Sequence, residues 1–458
     1  MKRTVKKSAP VFYLVALGCP KNLVDAELLS GTLTSAGFTL SLDPDAADVY
    51  IVNTCAFLPA ARDEAAQEIA AALEWKRQAP GRRVVVGGCL TEYDKDSGEY
   101  RKRFSEVDLW SPVNDIERIA ELLGGAAPSS GKPCYLNRDV SPRLQLTLPH
   151  LAYLKIADGC DNHCTYCAIP KLRGALRTRP QASVVREAKM LVDSGVRELI
   201  IVAQDTTAFG MDRPRDGEDL CSLLRELEKL PGDFVIRLLY THPAHYTDEL
   251  IGFLASSRRV LSYLDIPLQH ISDRILRAMN RHVTKAEITA LLEKLRAAIP
   301  GLTLRTTFIV GFPGESEEEF GELCDFVRKF KFERMGVFPY AAEKSTPAAK
   351  MKDQIPAEVA NGRAEILMTR QIARMKRRNR RSVGQAARVL VDRVDRSGIA
   401  VARGATDAPD IDNVILIPDA EKLRAGDFSD VRIVGTAGCD LVADPVRGKV
   451  KRRGCGKR

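Results

Sequence analysis

Six of the eleven cysteines are placed where they could do chemistry, and three of them share one short loop. Cys160, Cys164 and Cys167, the loop trio, lie in "DGCDNHCTYCA", residues 158–168. Such a loop could form a disulfide staple, part of a zinc site or a redox-active metal centre. The apolar run "VFYLVALGCP" near the N-terminus is short and rich in strand-forming residues, so we interpret it as a strand and not as a secretory leader. Eleven cysteines without a leader favour a reducing compartment and metal-binding or catalytic thiolates.

The number of thiolates in the loop bears on which metal it could hold. A structural zinc ion takes four ligands, so zinc here would need His163 or a distant residue as the fourth. An iron–sulfur cubane usually takes four thiolates, and with three of them one iron keeps an open coordination position. A sulfonium derivative of methionine could chelate that iron, and one-electron reduction would release a carbon radical able to abstract hydrogen from an unactivated C–H bond. The spacing alone leaves both kinds of site open.

A second set of three cysteines, Cys19, Cys55 and Cys89, is spread along the chain but follows a rule. Each member of this strand-end trio comes just after a predicted strand, namely "VFYLVAL", "DVYIVNT" and "RRVVVGG". Helical stretches separate these strands, which predicts a parallel sheet. Because the carboxyl ends of parallel strands share one edge, the three thiols should meet there. The alternative is that each is a small buried apolar residue, as free cysteines often are.

The remaining elements place the loop trio at the mouth of a barrel. Six candidate strands, "LAYLKIA", "ELIIVAQ", "VIRLLY", "YLDIPL", "RTTFIV" and "MGVFPY", alternate with helical stretches between residues 151 and 340. This pattern predicts a partial, TIM-like (β/α)6 barrel, whose active site lies at the carboxyl ends of its strands. A basic helix over 365–381 leads to short alternating strands typical of a small all-β barrel. The predicted class is therefore α/β, with an N-terminal parallel sheet, a central partial barrel and a C-terminal β-barrel.

These motifs resemble a known family. The loop trio, with Tyr166 before its last cysteine and at the head of six β-α steps, resembles the radical S-adenosylmethionine superfamily. The three-part plan is similar to its methylthiotransferases, which have a second cluster in an N-terminal domain and a C-terminal TRAM barrel. "ALGCPKNLVDAE" resembles the RimO branch, which modifies a ribosomal protein, although Ala26 stands where that branch usually has Ser. Five further motifs resemble the same branch, namely "DGCDNHCTYCAIPKLRG", "QDTTAFG", "YTHPAHYTDEL", "DIPLQHISDRILRAMNR" and "FIVGFPGE".

The resemblance implies domain bounds and cofactors. It implies a methylthiotransferase domain over 8–123, a linker over 124–149, a radical domain over 150–376, a TRAM domain over 377–446 and a basic tail over 447–458. The loop trio would hold a 4Fe-4S cluster whose open iron chelates S-adenosylmethionine, and the strand-end trio would hold an auxiliary 4Fe-4S cluster. The implied reaction converts a C–H bond at the β-carbon of an aspartate, in small-subunit ribosomal protein S-twelve, to C–S–CH3.

Five residues are candidates for contact with S-adenosylmethionine. Tyr166 lies within the loop trio, and Gly311 and Glu315 lie in "VGFPGE", where glycine lets backbone approach a ligand. The alternative for Glu315 is a place near a helix N-terminus, where acids are favoured. Glu198 and Gln204 flank the second barrel strand and are weaker candidates. The loop histidines at 163, 242, 245 and 270 are left unassigned, and the cysteines at 134, 221, 324, 439 and 455 are interpreted as packing residues or, for the last, as an exposed tail thiol.

Charge bears on the substrate. Residues 380–446 contain 9 Lys and Arg against 11 Asp and Glu, and "ATDAPDIDN" supplies three of those acids. Such a surface would attract a basic ribosomal protein and repel phosphates, whereas the helix over 370–381 and the tail are basic. We therefore expect protein S-twelve as the substrate, either free or within the small subunit. Modification of tRNA adenosine is the first alternative, and a non-enzymatic metal-binding RNA module is the second.

The same sequence bounds the setting in which the protein works. The longest apolar runs are shorter than the ~20 residues that span a bilayer, so we expect no membrane association. We expect a cytoplasmic monomer that draws on a reductant such as flavodoxin or ferredoxin and on an unidentified sulfur donor.

Overall fold

The N-terminal part of the chain is a sheet of five parallel strands in the order β2-β1-β3-β4-β5. The computed structural model describes residues 9–112, 115–124, 142–418 and 420–446. The elements of this part are β1 Val11–Ala16, α1 Pro20–Ser35, β2 Thr39–Leu40, β3 Val49–Thr54, α2 Pro59–Arg77, β4 Arg83–Gly88, α3 Cys89–Tyr93, α4 Glu99–Arg103, β5 Leu109–Trp110 and α5 Ile116–Leu122. Strands β3 and β4 are rich in valine and almost wholly buried, as expected of inner strands of a parallel sheet.

The central part is a six-stranded, all-parallel sheet in the order β13-β12-β11-β10-β9-β6, as the sequence predicted. Its elements are β6 Leu151–Lys155, β7 Ala157–Asp158, α6 Ile169–Arg173, β8 Arg177–Thr178, α7 Gln181–Asp193, β9 Glu198–Val202, α8 Leu220–Glu228, β10 Val235–Leu238, α9 Asp248–Ser256, β11 Val260–Asp265, α10 Asp273–Ala278, α11 Lys285–Ala298, β12 Thr303–Val310, α12 Glu317–Phe330 and β13 Arg334–Pro339. Capping boxes at Asp219, Thr284 and Ser316 set the starts of α8, α11 and α12.

A long helix, α13 Ala357–Ser382, joins the barrel to a closed C-terminal β-barrel. Its strands are β14 Ala386–Val394, β15 Ala400–Gly404, β16 Ile415–Ile417, β17 Phe428–Ala437 and β18 Asp440–Pro445. The helix runs without a break across the boundary expected between residues 376 and 377. None of the helices in the described ranges combines the length and apolar character that crossing a membrane requires.

The concave side of the central barrel is filled by its two neighbours. Apolar residues of α1, such as Leu28 and Leu33, share one core with the inward-facing barrel residues Tyr153 and Leu239. The β15–β16 loop of the C-terminal barrel contributes Ala408 to the same core. The partial barrel is therefore closed by the domains on either side of it in the sequence.

Two expectations from the sequence need correction. Helix α1 was expected from residue 25 but begins at Pro20, because proline suits a first helical position. At the end of the expected linker, Arg143 is buried between Glu27 and Glu187; residues 125–141 lie outside the described ranges. The acids of "ATDAPDIDN" do not all form a free acidic surface, because the side chains of Asp407 and Asp412 are each only 3% exposed.

Two of those acids are buried at the junction between the barrels. Asp407 ion-pairs with Arg334 of β13, and Asp412 accepts a hydrogen bond from the phenol of Tyr263 at 2.6 Å. Arg305 lies 3.8 Å from Asp412. The acids therefore neutralise barrel arginines and hold the two domains together. The charge argument for a basic protein partner was wrong in this respect.

Candidate functional site

The loop trio lies at the carboxyl ends of the barrel strands, between β7 and α6. Two backbone hydrogen bonds shape the loop. The amide of Thr165 donates to the carbonyl of Met279, just after α10, at 3.1 Å, and the amide of Cys167 donates to the carbonyl of Cys164 within the loop at 3.0 Å. Burial raises the pKa of Cys160 to about 11 and the pKa of Cys167 to about 12. The predicted position at the barrel mouth is confirmed.

The strand-end trio lies at one edge of the N-terminal sheet, where β1, β3 and β4 are neighbours. Cys19 precedes α1, Cys55 follows β3 directly and Cys89 begins α3. Gly18 approaches so closely that an added Cβ would lie 2.6 Å from the Cβ of Cys55. Burial raises the pKa of Cys89 to about 11, with Cys19 and Cys55 adding to the effect. The three thiols are within electrostatic reach of one another, as the β-α alternation predicted.

One arginine connects the two trios. Arg173 ends α6, the short helix that follows the loop trio, and its Nε donates to the Sγ of Cys89 at 3.3 Å. Its Nη1 donates to Asp25 at 2.6 Å and to Asp158 at 3.3 Å, and its Nη2 donates to Asn22 at 3.1 Å. The chain segment that carries the loop trio is thereby locked to the domain that carries the strand-end trio.

Buried cations and carboxylates lie together around Arg173. Lys155 is fully buried and reaches Asp25 at 2.5 Å and Asp158 at 3.2 Å, and Arg177 also acts on Asp158. Burial disfavours the charge of Asp158, but Lys155 and Arg173 outweigh it and hold its pKa well below the usual range. For Cys19, burial is likewise outweighed by Lys21 and Arg173, and its pKa is lowered. The neighbouring cations therefore favour the thiolate form of Cys19, whereas burial raises the pKa of Cys55 and Cys89.

The donor sets of both trios fit iron–sulfur clusters better than single ions. Two sulfurs on one tetrahedral zinc ion are about 3.8 Å apart at the usual bond length of ~2.3 Å. Within the described part of the chain, only Asp205, His242 and His245 bring three candidate ligand atoms within 4.8 Å of one another, and neither cysteine trio does. Cationic N–H groups contact a thiol in each trio, Arg173 at Cys89 and Arg281 at Cys164 (3.6 Å). Such hydrogen bonds to sulfur are typical around anionic clusters.

The triad of Asp205, His242 and His245 was not assigned from the sequence. Asp205 accepts a hydrogen bond from Asn162 of the cysteine loop at 2.8 Å and lies 2.9 Å from Nδ1 of His245. The amide of Ala244 donates to Nδ1 of His242 at 3.2 Å, while burial and Arg281 lower the pKa of that imidazole to about 2. The neutral ring then carries its proton on Nε2, which has no hydrogen-bond partner among the described residues. Through the bond from Asn162 to Asp205, the triad is connected to the cysteine loop.

Tyr166 and Gln204 remain candidates for contact with S-adenosylmethionine. Tyr166 packs with Ile275 and Phe312 beside the loop trio. Gln204 donates to Asp158 at 2.7 Å, and its buried Oε1 has no hydrogen-bond partner among the described residues. That oxygen offers a free acceptor two residues along the chain from the end of β9, at the barrel mouth.

Gly311 and Glu315 have structural tasks in this loop. A Cβ on Gly311, whose φ is +72°, would lie 2.3 Å from the Cβ of Ala360 in α13, so glycine allows that helix to pack closely. The carboxylate of Glu315 accepts hydrogen bonds from the amides of Gly311 and Phe312 (3.0 Å for the latter). Arg363 lies 3.3 Å from its other oxygen. A direct role of these two residues in binding S-adenosylmethionine stays a prediction.

Glu198 is in the wrong place for a cofactor contact. It is the first residue of β9, so it lies at the end of the strand opposite to the cysteine loop. Arg237 donates to it at 2.7 Å, and Arg403 of the C-terminal barrel ion-pairs with it at 2.7 Å. Glu198 therefore joins the two barrels.

The other cysteines show no shared placement. Cys221 and Cys324 are buried in the barrel core, as predicted for packing residues, and Cys439 is partly exposed. Cys134 and Cys455 lie outside the described ranges. Arg173 and Arg281 were not predicted, although they lie next to the end and at the end of two motifs quoted above, because a lone arginine gives no sign of which distant thiol it will contact.

Comparison with known proteins agrees with this arrangement. Residues 154–327 match the radical SAM superfamily, residues 11–111 match uncharacterized protein family UPF0004, and residues 383–446 match the TRAM domain. The chain is 42% identical over 427 residues to the ribosomal protein uS12 methylthiotransferase RimO of Carboxydothermus hydrogenoformans, covering 92% of this chain and 96% of that protein. It is 43% identical over 443 residues to the protein of that name from Pelotomaculum thermopropionicum, covering 94% and 98%.

A solved structure shares the fold at low identity. The radical S-adenosylmethionine methyltransferase TsrM of Kitasatospora setae superposes with a TM-score of 0.57 and 15% identity, covering 74% of this chain and 77% of that one. The full-length similarity to the two relatives goes much further than fold. The chain belongs to the RimO family of ribosomal protein uS12 methylthiotransferases, enzymes of the radical SAM superfamily.

Proposed function

We propose that the protein converts a C–H bond at the β-carbon of an aspartate in ribosomal protein uS12 to C–S–CH3. The observation that carries the proposal is the joining of two three-cysteine sites through Arg173, which ends the helix after one trio and contacts a thiol of the other at 3.3 Å. Two sites that act on one carbon must face the same substrate, and a shared arginine holds them in register. Near-full-length relatives bear the corresponding name.

The cysteines are the ligands in this proposal. The loop trio would hold the 4Fe-4S cluster that binds S-adenosylmethionine, and the strand-end trio would hold the auxiliary 4Fe-4S cluster. When bound, these groups supply the electron, the hydrogen-abstracting carbon radical and the methylated sulfur. Cys55, Cys89 and Cys164 are buried, which limits the access of water to that chemistry, while Cys19, Cys160 and Cys167 are partly exposed.

The protein's own side chains organise the two sites. Arg281 and Arg173 donate N–H groups to one thiol in each trio, which favours the anionic form of the ligands. Gln204 holds Asp158 beside the cysteine loop and offers its free Oε1 to the cosubstrate. We further propose that the enzyme works in the cytoplasm, where ribosomal substrates are found, and that it takes electrons from a flavodoxin or ferredoxin.

Mass spectrometry of a deletion strain tests the choice of substrate. Ribosomal protein uS12 from that strain should lack the methylthio group on its aspartate, and a plasmid copy of the gene should restore it. A copy with alanine at all three positions of the loop trio should not restore it. Unchanged uS12 together with loss of a methylthio group from tRNA adenosine would show that the protein belongs functionally with tRNA enzymes.

A further inference from the structure

A basic cleft lies on the far side of the central barrel from the cysteine loop. Its volume is about 430 Å³, and it separates the end of α12 from the second half of α13. Its cationic lining residues are Arg328, Lys331, Arg374, Arg377, Arg378 and Arg381, against the single acid Glu333. The proposed catalytic chemistry uses none of these side chains.

Four of the arginines form one face of α13. Positions 374, 377, 378 and 381 are spaced by three and four residues, so their side chains share one side of the helix. At a rise of ~1.5 Å per residue the row is about 10 Å long. A row of this length exceeds what a single phosphate could contact.

Several N–H groups in the cleft lack acceptors, although Arg328 at its edge donates to Asp325 at 3.0 Å. Nη1 of Arg374 and Nη1 of Arg378 are buried, and neither has a hydrogen-bond partner among the described residues. The carboxylate of Glu333 has two arginine neighbours. Arg296 ion-pairs with it at 3.1 Å, and Nη1 of Arg378 lies 3.6 Å from its other oxygen. Within the described ranges, no carboxylate reaches ion-pair distance of Arg374, Arg377 or Arg381. Buried N–H groups without acceptors are costly, so the cleft is suited to an anionic ligand that supplies several oxygens.

The position of the cleft indicates a large partner. Ala360, near the start of α13, packs against Gly311 at the barrel mouth. Arg377 is seventeen residues further along the same helix. That separation is about 25 Å along the axis. A partner that presents its aspartate to the cysteine loop and fills the cleft must therefore reach around the barrel. RNA carries phosphates at such distances as one continuous polyanion.

We propose that this cleft binds the phosphate backbone of small-subunit ribosomal RNA, so that the enzyme recognises uS12 as part of the subunit. This inference rests on the proposed function and specifies the form of its substrate. The arginines would act as a docking surface and would not touch the reacting aspartate.

The test compares two substrates and three variants of the full-length, iron-loaded enzyme. The variant Arg374→Gln/Arg377→Gln/Arg381→Gln removes three cations from the cleft, and the triple Arg→Lys variant keeps their charge. A control variant replaces three exposed cations elsewhere, Lys102, Lys189 and Arg215, by glutamine. Each protein is assayed for binding to small subunits from a deletion strain across a salt series, and for methylthiolation of those subunits and of free uS12.

The glutamine variant should bind subunits with a salt slope shallower by about two, since each lost phosphate contact removes ~0.7 to 0.9 from the slope of log K against log salt. Its kcat/KM should fall at least tenfold on subunits and stay within twofold on free uS12, while the lysine and control variants should match the unmodified enzyme. An unchanged salt slope, or an equal loss on both substrates, would overturn the inference. So would binding of free tRNA that depends on the cleft more strongly than subunit binding does. Continued modification of free uS12 would leave the proposed function intact in each case.

Discussion

Replacement of Arg173 should reveal how strongly the two cysteine sites depend on one buried network. Its side chain is 2% exposed and its guanidinium contacts Asp25, Asp158, Asn22 and Cys89. In Arg173→Met, the buried carboxylates of Asp25 and Asp158 would lose one cationic partner and keep Lys155 as another. Removal of one partner from a buried ion pair costs about 3 to 5 kcal/mol, and we expect a loss of that size in the free energy of unfolding.

A double-mutant cycle separates the network from simple loss of packing. Asp25→Asn removes the carboxylate that Arg173 leaves behind, so Arg173→Met/Asp25→Asn should be less destabilised than the sum of the two single variants by about 1 to 3 kcal/mol. The assay is urea unfolding of the cluster-free chain, followed by circular dichroism. Arg225→Met is the matched control, because Arg225 is half-exposed and pairs with Glu249 on the surface, where a pair contributes about 0 to 1 kcal/mol. Additive losses in the cycle would refute the idea that these groups act as one unit.

Three further changes have outcomes that follow from single contacts. Gly18→Ala should lower the iron content from about eight to about four per chain, because its Cβ would collide with Cys55, whereas Gly37→Ala, at the same φ of +92° but in open space, should keep both clusters. Burial opposes the charge of Glu187, but neighbouring arginines lower its pKa to about 2, so it should contribute about 3 kcal/mol above pH 4.5 that is lost as the pH falls towards 2. Asp407→Asn should make the C-terminal barrel separate more easily, seen as faster proteolysis near residue 383, because Arg334 loses its buried partner.

Each of these outcomes has a control. In Glu187→Gln, the loss of unfolding free energy between pH 4.5 and pH 2 should be smaller. An unchanged dependence of stability on pH would mean that the neighbouring arginines do not lower the pKa of this carboxylate. Asp430→Asn changes an exposed acid of the C-terminal barrel and should leave proteolysis unaltered. Equal cleavage of the Asp407 and Asp430 variants would contradict the role of the buried pair, and equal iron in the two glycine variants would contradict the collision at Cys55.

Local patterns were enough to predict the strands and the two cysteine trios. Strand periodicity and the regular spacing of β-α units place Cys19, Cys55 and Cys89 at one sheet edge, because that consequence follows from parallel topology alone. The position of the loop trio after the first barrel strand is local information of the same kind.

Contacts between distant segments could not be predicted in this way. Glu198 was counted with the mouth residues because it borders a strand, although its place at the amino end of "ELIIVAQ" already points away from the mouth. The arginines that surround it could not be predicted, because Arg403 belongs to another domain. The acids at 407 and 412 looked like free surface charge for the same reason. Arg173 lies 148 residues from Asp25, 151 from Asn22 and 84 from Cys89, all in another domain, and nothing in the local sequence pairs them.

The most direct test is tandem mass spectrometry of uS12 after anaerobic reaction with the iron-loaded, reduced enzyme and S-adenosylmethionine that carries a deuterated methyl group. We expect one aspartate to exchange one β-hydrogen for a labelled methylthio group, and alanine in either cysteine trio to abolish this product. A labelled methylthio group formed without the strand-end trio would show that the reaction does not need both three-cysteine sites. If uS12 stays unmodified while both clusters are present, the result would contradict the proposed reaction.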